Sequence, residues 1–292
     1  MSTKMKIGLI DIDSKIPNLA LMKISAYHKL LGNEVTLTRP LFANQFNQCF
    51  ASKIFDYTNM PILPRWTQLG GSGIEKNGGK KLDSHTEHLM PDYSLYNCDY
   101  AIGYTSRGCN RKCPFCIVPK KEGKWNAVAD IYEFWEDQDR IMLLDNSLNT
   151  NDYHFEKILN QLIKEKVKVD FSQGLDIRHL NNKQAYLLSK VGLWKRIHFA
   201  WDLIQIEKHI RKGLKILDKH NLKYIMFYVL IGFNSTPEED LYRVETLRGL
   251  GVDSFVMPYD KFDDYQRSFT RWVNHKAIFK SVKWKDYIYR VG

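Results

Sequence analysis

The sequence is poor in cysteine, with five in 292 residues, and Cys49 and Cys98 stand alone. An odd, scattered set of this kind excludes a disulfide-stapled secreted scaffold. Long hydrophobic runs are missing too: no stretch reaches the roughly 18 apolar residues that a membrane-spanning helix requires. The opening MSTKMKIGLIDID passes from a short basic lead straight into a strand-like run, without the apolar segment and cleavage site of a secretory signal. No internal repeat and no long low-complexity tract occurs, which sets aside solenoid and largely disordered architectures. The expectation is a cytoplasmic protein with reduced thiols and no membrane partner.

The remaining cysteines are concentrated. Cys109, Cys113 and Cys116 stand in GYTSRGCNRKCPFCIVPKKEG with the spacing C-x3-C-x2-C. Iron–sulfur clusters are ligated by cysteine sulfur, so three thiolates on one short loop suit three corners of a cubane cluster. The fourth iron is then left to a ligand from outside the protein. Structural zinc competes, because thiolates also suit zinc, but a closed zinc site needs four ligands, usually as two dyads. Here the other cysteines are isolated, and the nearest histidines, His85 and His88, lie in a Gly/Lys-rich stretch.

Hydrophobic content of 44% with 13% aromatic is that of a packed enzyme-sized chain. The net charge of +10 is compatible with a nucleic acid or another anionic substrate. Of the basic pairs Lys80-Lys81, Arg111-Lys112 and Lys120-Lys121, two flank the cysteine loop; a solvated basic surface explains them equally well.

From Ala101 onward, strand-like and helix-like segments alternate. A strand near 100–106 enters the cysteine loop. The helical stretch AVADIYEFWEDQ follows, then the strand RIMLLD, the helix NDYHFEKILNQLIKEK, the strand VKVDFSQ and the helix NKQAYLLSKVG. The strand KRIHFAWD, the helix QIEKHIRKGLKILDKH, the strand KYIMFYVLIG, the helix TPEEDLYRVETLRGLG and the strand SFVMPY complete the series. Alternation of this kind predicts parallel strands joined by crossover helices. Six strands are too few for a closed eight-stranded barrel and predict an α/β fold built on an open, partial (β/α)6 barrel. Asn151-Asp152 and Thr236-Pro237-Glu238-Glu239 read as helix starts, and Gly192, Gly249 and Gly251 as helix ends. Loops after parallel strands gather at the carboxyl end of such a sheet, where the cysteine loop also falls.

Residues 1–95 predict a separate small Rossmann-like unit: the strand KIGLIDID, the helix NLALMKISAYHKLLG, the strand NEVTLTR and a glycine-rich loop, LGGSGIEKNGGKK. The barrel spans 96–258, and 259–292 form a carboxyl-terminal extension.

The C-x3-C-x2-C element, with its strand–helix alternation over roughly residues 100–258, resembles the radical S-adenosylmethionine (SAM) enzymes. The resemblance implies a 4Fe–4S cluster on the three cysteines, with the open iron chelating the methionine part of SAM. It implies reductive cleavage to a 5′-deoxyadenosyl radical, with the cofactor carrying the chemistry and the protein positioning it. An external electron donor such as flavodoxin or ferredoxin is implied as partner. Phe115 occupies the aromatic position that packs near the adenine in the family. Within the superfamily the loop is most similar to the cobalamin-binding subgroup and to the methylthiotransferases, which share a proline and glycine after the last cysteine, here Pro119 and Gly123. LLDNSLN resembles the acidic second-strand element, here Asp145-Asn146, and VLIGFNSTPEED resembles the fifth-strand glycine element that includes Gly232. By this resemblance the residues around the cofactor are Phe115, Asp145, Asn146, Gln173, Asp176, Arg178, Asp202 and Gly232. Arg178 or Gln173 would meet the carboxylate, and Asp145 or Asp202 the amine or ribose hydroxyls. The same acids also suit helix caps, and Arg178 a structural ion pair.

The amino-terminal unit resembles a shortened cobalamin-binding domain, with GGSG where that family's glycine loop meets the nucleotide tail. It lacks the lower-ligand pattern D-x-H-x-x-G: Asp11 and Asp13 follow the strand, but His28 lies too far on, inside the helix. A degenerate domain is therefore expected rather than a cobalamin site. Methylthiotransferases carry three further amino-terminal cysteines and a carboxyl-terminal RNA-binding barrel; here only Cys49 and Cys98 precede the motif and a tail of about 30 residues follows the last strand, departures that argue against that activity. The tail DKFDDYQRSFTRWVNHKAIFKSVKWKDYIYRVG interleaves aromatics with bases, which suits nucleic acid, but its apolar spacing favours a helix burying Phe269, Trp272, Val273 and Phe279. The expected function is a radical SAM enzyme acting on an unidentified substrate, with nucleic acid or nucleotide preferred. A cobalamin-dependent methyltransferase is the alternative, and a zinc- or cluster-bearing RNA-binding module without turnover is the alternative of another class.

Overall fold

The structure is a computed structural model that describes residues 4–74 and 79–287. The centre of the glycine-rich segment and the last residues of the tail lie outside the described residues. The fold is α/β with parallel sheets, and the chain divides after Asp145 into two compact units.

The first unit opens with β1 (Lys6–Asp11), α1 (Leu19–Leu30) and β2 (Glu34–Leu37), as the sequence predicts. Two strands that the sequence did not announce follow: β3 (Gln48–Ser52) and β4 (Gln68–Gly70). Both are too short, and too polar at their flanks, to show a period. The four strands form one parallel sheet in the order β2-β1-β3-β4. Alternation along β1 sends Ile7 and Leu9 against Leu21 of α1, and Ile10 against Ala43, Cys49 and Ala51 on the other face. Gly8 lies where a Cβ would come 2.8 Å from Cys49 Sγ and from the Phe46 ring, so the strand cannot carry a side chain there. Asn18 caps α1 by accepting the Leu21 N–H at 3.2 Å.

After α2 (Ser84–Glu87) come β5 (Ala101–Gly103), β6 (Ser106–Arg107), α3 (Val118–Glu122), β7 (Asn126–Ala127) and β8 (Arg140–Leu143). β5 pairs in parallel with β8, and β6 pairs with β7 in antiparallel register. The helix predicted over AVADIYEFWEDQ does not form; only a single 3-10 turn, Ile131–Glu133, is present. Asp130 caps that turn, and the backbone leaves helical geometry at Phe134, whose ring lies on Gly103 of β5. The apolar spacing of Ile131 and Phe134 was real, but it serves one turn pressed onto a strand.

The second unit repeats the predicted order: α4 (Asp152–Glu165), β9 (Lys168–Phe171), α5 (Asn182–Leu188), β10 (Ile197–Ala200), α6 (Glu207–Lys219), β11 (Ile225–Ile231), α7 (Pro237–Gly249) and β12 (Asp253–Pro258). β10, β11 and β12 form a parallel sheet, with Ile197 opposite Ile225 and Phe227 opposite Ser254. Asn151, Asn181 and Thr236 cap their helices, Thr236 through a complete capping box with Glu239. α7 ends in a Schellman turn: Val252 N–H donates to Leu247 O, Gly251 N–H donates to Arg248 O, and Gly251 takes φ +71°.

The tail forms α8 (Asp264–Asn274) and α9 (Lys276–Ser281). Phe269, Trp272, Val273 and Phe279 are all buried. Asn274 fixes α8 to β12, accepting the Val256 N–H at 2.8 Å and donating to Val256 O at 2.9 Å. The Trp272 ring packs against Phe279 and Trp284, and its indole N–H donates to Val282 O at 2.9 Å. No helix among the described residues is long and apolar enough to cross a membrane. Trp272→Ala should destabilise the protein by about 3–5 kcal/mol, seen as a lower denaturant midpoint with unchanged slope. A loss below about 1 kcal/mol would show that the tail does not complete the core.

Candidate cofactor site

The cysteine loop is closed at its neck. The β6–β7 ladder sets Ser106 opposite Ala127 and Arg107 opposite Asn126. Above it, Gly108 N–H donates to the Glu122 carboxylate at 3.0 Å, Cys109 N–H donates to Gly123 O at 3.2 Å, and Trp125 N–H donates to Asn110 Oδ1 at 3.2 Å. Gly108 has φ +76°, and a Cβ there would lie 2.4 Å from Lys124 O, so only glycine permits this closure. Pro119 sits in the first turn of α3 and Gly123, at φ +81°, ends it. The Arg107 guanidinium lies 3.7 Å from the Tyr104 ring and 3.2 Å from Glu87.

Cys109, Cys113, Phe115 and Cys116 are all half-buried on this loop. Cys109 Sγ accepts the Arg111 N–H at 3.4 Å, and Cys116 N–H donates to Cys113 O at 3.0 Å, which turns the chain between the last two thiols. No disulfide joins any of the five cysteines. Among the described residues, no group of three or more His, Cys, Asp or Glu side chains is placed to hold a metal ion. The fit to an iron–sulfur cluster therefore rests on the donor set: three thiols confined to one clamped loop, one of them already accepting a backbone N–H. Cys49 is wholly buried in the first sheet, with its thiol donating to Ala43 O, and Cys98 donates to Tyr100 O. Burial pushes both thiols above their ordinary pKa, which favours the protonated form and disfavours metal ligation.

Asp145 lies in the same unit as the loop. It is 3% exposed, and its carboxylate accepts from the backbone N–H and hydroxyl of both Thr105 and Ser106. Burial pushes its carboxyl above the usual range, against the opposing pull of those donors.

In the second unit Asn146 is half-buried and Gln173 exposed, with its amide donating to Ser172 Oγ at 3.4 Å. Arg178 grips Asp176 with two bonds, Nε to Oδ1 at 2.7 Å and a terminal nitrogen to Oδ2 at 2.8 Å. Asn149, fully buried, donates to Asp176 O at 3.0 Å and accepts the Asp176 N–H at 2.9 Å. Asn149 was not singled out in the sequence, although it stands inside LLDNSLN. Asp202 accepts the Leu230 N–H at 3.2 Å, and burial pushes its carboxyl up. Arg243 donates to the carbonyls of Trp201 and Asp202 and pairs with Asp240 at 2.5 Å, both side chains fully buried. Gly232, at φ +75°, leaves room for Gln266, whose carboxamide a Cβ would meet at 2.2 Å. Gly232 thus has a packing reason to be glycine, and the Asp176–Arg178 pair matches the structural pairing weighed for that arginine.

The GGSG loop is occupied by the chain itself. A Cβ on Gly71 would lie 2.2 Å from Lys53 O, and one on Gly73 would lie 2.7 Å from the Phe55 carbonyl. Asp13 accepts the N–H groups of Ile54 at 2.7 Å and Phe55 at 3.0 Å. His28 is buried in α1 beside Asn33. Burial alone would raise the Asp13 pKa, but the Ile54 N–H, the Thr58 hydroxyl, the Phe55 N–H and the Lys53 charge hold it below the ordinary carboxylate value. A depressed folded-state pKa contributes stability above the unfolded carboxylate range, near about pH 4, and that contribution is lost as pH falls through the folded value. Asp13→Asn should therefore lower stability at neutral pH and flatten the acid side of the stability–pH curve. Parallel curves for the two proteins would show that this carboxylate anchors nothing.

No protein-family model matches the chain. Over 130 residues it is 27% identical to the ribosomal protein uS12 methylthiotransferase RimO of Vibrio cholerae, covering 42% of this chain and 26% of that protein. Its counterpart in Pseudomonas aeruginosa is 29% identical over 110 residues (35% and 22%), and that of Colwellia psychrerythraea 28% over 116 residues (38% and 24%). The chain thus spans about a quarter of the length of the curated relatives it matches. The resemblance to the radical SAM superfamily and to its methylthiotransferases holds in these comparisons.

Proposed function

We propose that this chain is a radical SAM enzyme that carries one 4Fe–4S cluster on Cys109, Cys113 and Cys116, in a reducing cytoplasm. The observation that carries the proposal is the clamped loop, which confines three thiols and contributes a backbone N–H to one sulfur. When bound, the cluster and SAM supply one-electron cleavage of the sulfonium and a 5′-deoxyadenosyl radical. The chain's own part is to hold and shield. Cys109, Cys113 and Cys116 would hold the cluster, and half-buried Phe115, between the last two cysteines in sequence, would meet the adenine. The Asp176–Arg178 pair keeps the guanidinium in a fixed position near Asp202, whose carboxyl feels its charge.

The six strands β5, β8, β9, β10, β11 and β12, which alternate with helices, support a partial barrel over 96–258, with a Rossmann-like unit before it and a helical closure after it. An external flavodoxin- or ferredoxin-type donor would supply the electron. The net charge of +10 supports a nucleic acid or nucleotide as substrate. The relatives are named for methylthio transfer to a ribosomal protein; here Cys49 and Cys98 are protonated core or hydrogen-bonded thiols, which offers that reaction no second thiolate set. With Gly71 and Gly73 packed on residues 53–55, a corrinoid-free enzyme is preferred over a cobalamin-dependent methyltransferase.

Anaerobic reconstitution with iron and sulfide, followed by dithionite and SAM, should yield 5′-deoxyadenosine and no bound corrinoid when cobalamin is offered. Uptake of zinc alone, with no 5′-deoxyadenosine, would favour the non-catalytic RNA-binding module. Cys113→Ala should abolish cluster retention, because a cubane left with two thiolates is lost; a full complement of four irons in that variant would refute the ligand assignment. Phe115→Ala should keep the cluster and raise the KM for SAM, while an unchanged KM would remove Phe115 from the site.

A further inference from the structure

The carboxylate of Asp145 is committed to one short segment. Leu144 N–H donates to Gly103 O at 2.9 Å, which carries the β5–β8 pairing one step beyond the ladder and brings Asp145 beside Thr105. The Thr105 N–H lies 3.2 Å from each carboxylate oxygen, and the hydroxyls of Thr105 and Ser106 both lie 2.7 Å from Oδ1. The Ser106 N–H also donates to Oδ1. Ser106 opens β6, a strand of two residues, and Cys109 follows directly beyond Gly108. A ladder so short is marginal on its own, because ordering its residues costs more than its few bonds return. A fully buried carboxylate that lost these donors would be left uncompensated, which is costlier still. The segment entering the cysteine loop and the acid at the end of β8 are therefore fixed together.

We infer that Asp145 is a positioning residue for the cysteine loop: its carboxylate holds Thr105 and Ser106, and through them it fixes where the chain enters the loop at Gly108 and Cys109. The inference assigns this acid a role other than contact with the amine or ribose of SAM. It rests on the proposed function only for what the loop holds.

The test uses the full chain, first as apoprotein and then after anaerobic reconstitution. Maleimide labelling rates of Cys109, Cys113 and Cys116 are read by peptide mass spectrometry, with Cys98 as the internal reference. Asp145→Asn turns one acceptor into a donor that opposes the N–H groups; Ser106→Ala removes one hydroxyl, and Thr105→Ser keeps its hydroxyl. Loop labelling relative to Cys98 should rise about tenfold in Asp145→Asn, less in Ser106→Ala and not in Thr105→Ser, the scale expected for loss of charge-assisted bonds from a locally opening segment. In reconstituted Ser106→Ala the electron paramagnetic resonance signal of the reduced cluster should broaden. If Asp145→Asn fails to fold, Ser106→Ala against Thr105→Ser decides. Unchanged relative labelling in the folded variants, or a rise shared equally by Cys98, overturns the inference. Should the native chain take up no cluster while labelling responds as expected, the positioning role stands and the cluster assignment falls. A native chain that takes up its cluster, with variants identical to it in both readouts, leaves the cluster assignment and removes the role.

Discussion

The closure at Gly108 is the constraint on which the candidate site depends. Three thiols separated by short spacers are held closer to one another when the segment that bears them starts and ends at the same place. Closing a loop costs chain entropy, and the closure here is met by many small bonds made at once: the β6–β7 ladder, the Glu122 carboxylate on Gly108 and the Gly123 carbonyl on Cys109. The close approach of Gly108 to Lys124 O makes that arrangement intolerant of a side chain. The sequence Arg-Gly-Cys is thus as much a statement about backbone as about ligands.

A second regularity runs through both units. Acids placed at or beyond strand ends serve backbone N–H groups or a neighbouring guanidinium. Asp13 takes the amides of Ile54 and Phe55, Asp145 those of Thr105 and Ser106, and Asp202 that of Leu230. Asp176 is held by Arg178 and by Asn149. Carboxylates deep in a protein must be compensated, and turns that follow parallel strands offer exactly the unpaired amides that compensate them. Of the predicted set, Gln173 and Gly232 are exposed, Asp145 is buried and the rest are half-buried.

The basic character of the chain has less structural consequence than its count suggests. On α8 and α9, where aromatics and bases interleave, Phe269, Trp272 and Phe279 go inward, Arg271 and Lys280 stay on the surface, and Phe262 ahead of α8 is exposed. This is the division that an amphipathic helix imposes, and it withdraws Phe269 and Trp272 from any role in stacking on bases.

Much of the second unit was legible in the sequence, because strands and helices alternate there, β11 is a continuous apolar run and several helices are capped: Asn151, Thr236 and the Gly251 turn all act where the pattern placed them. The C-x3-C-x2-C spacing was legible as well, and it names a candidate ligand set. The two short strands Gln48–Ser52 and Gln68–Gly70 were not, because a strand of a few residues has no period to detect and forms only when a neighbour pairs with it. Over AVADIYEFWEDQ the helical period was present, yet one buried ring on Gly103 outweighed it. What a polar side chain does was likewise a matter for tertiary structure. Asp145 could be read as a cofactor contact or as a cap, and only the fold, by bringing Thr105 and Ser106 to it across a gap of some forty residues, gave its carboxylate its partners. Composition and spacing determine which chemistry a chain can hold; which donor meets which acceptor is decided by distance in the folded state, where unmet partners are costly.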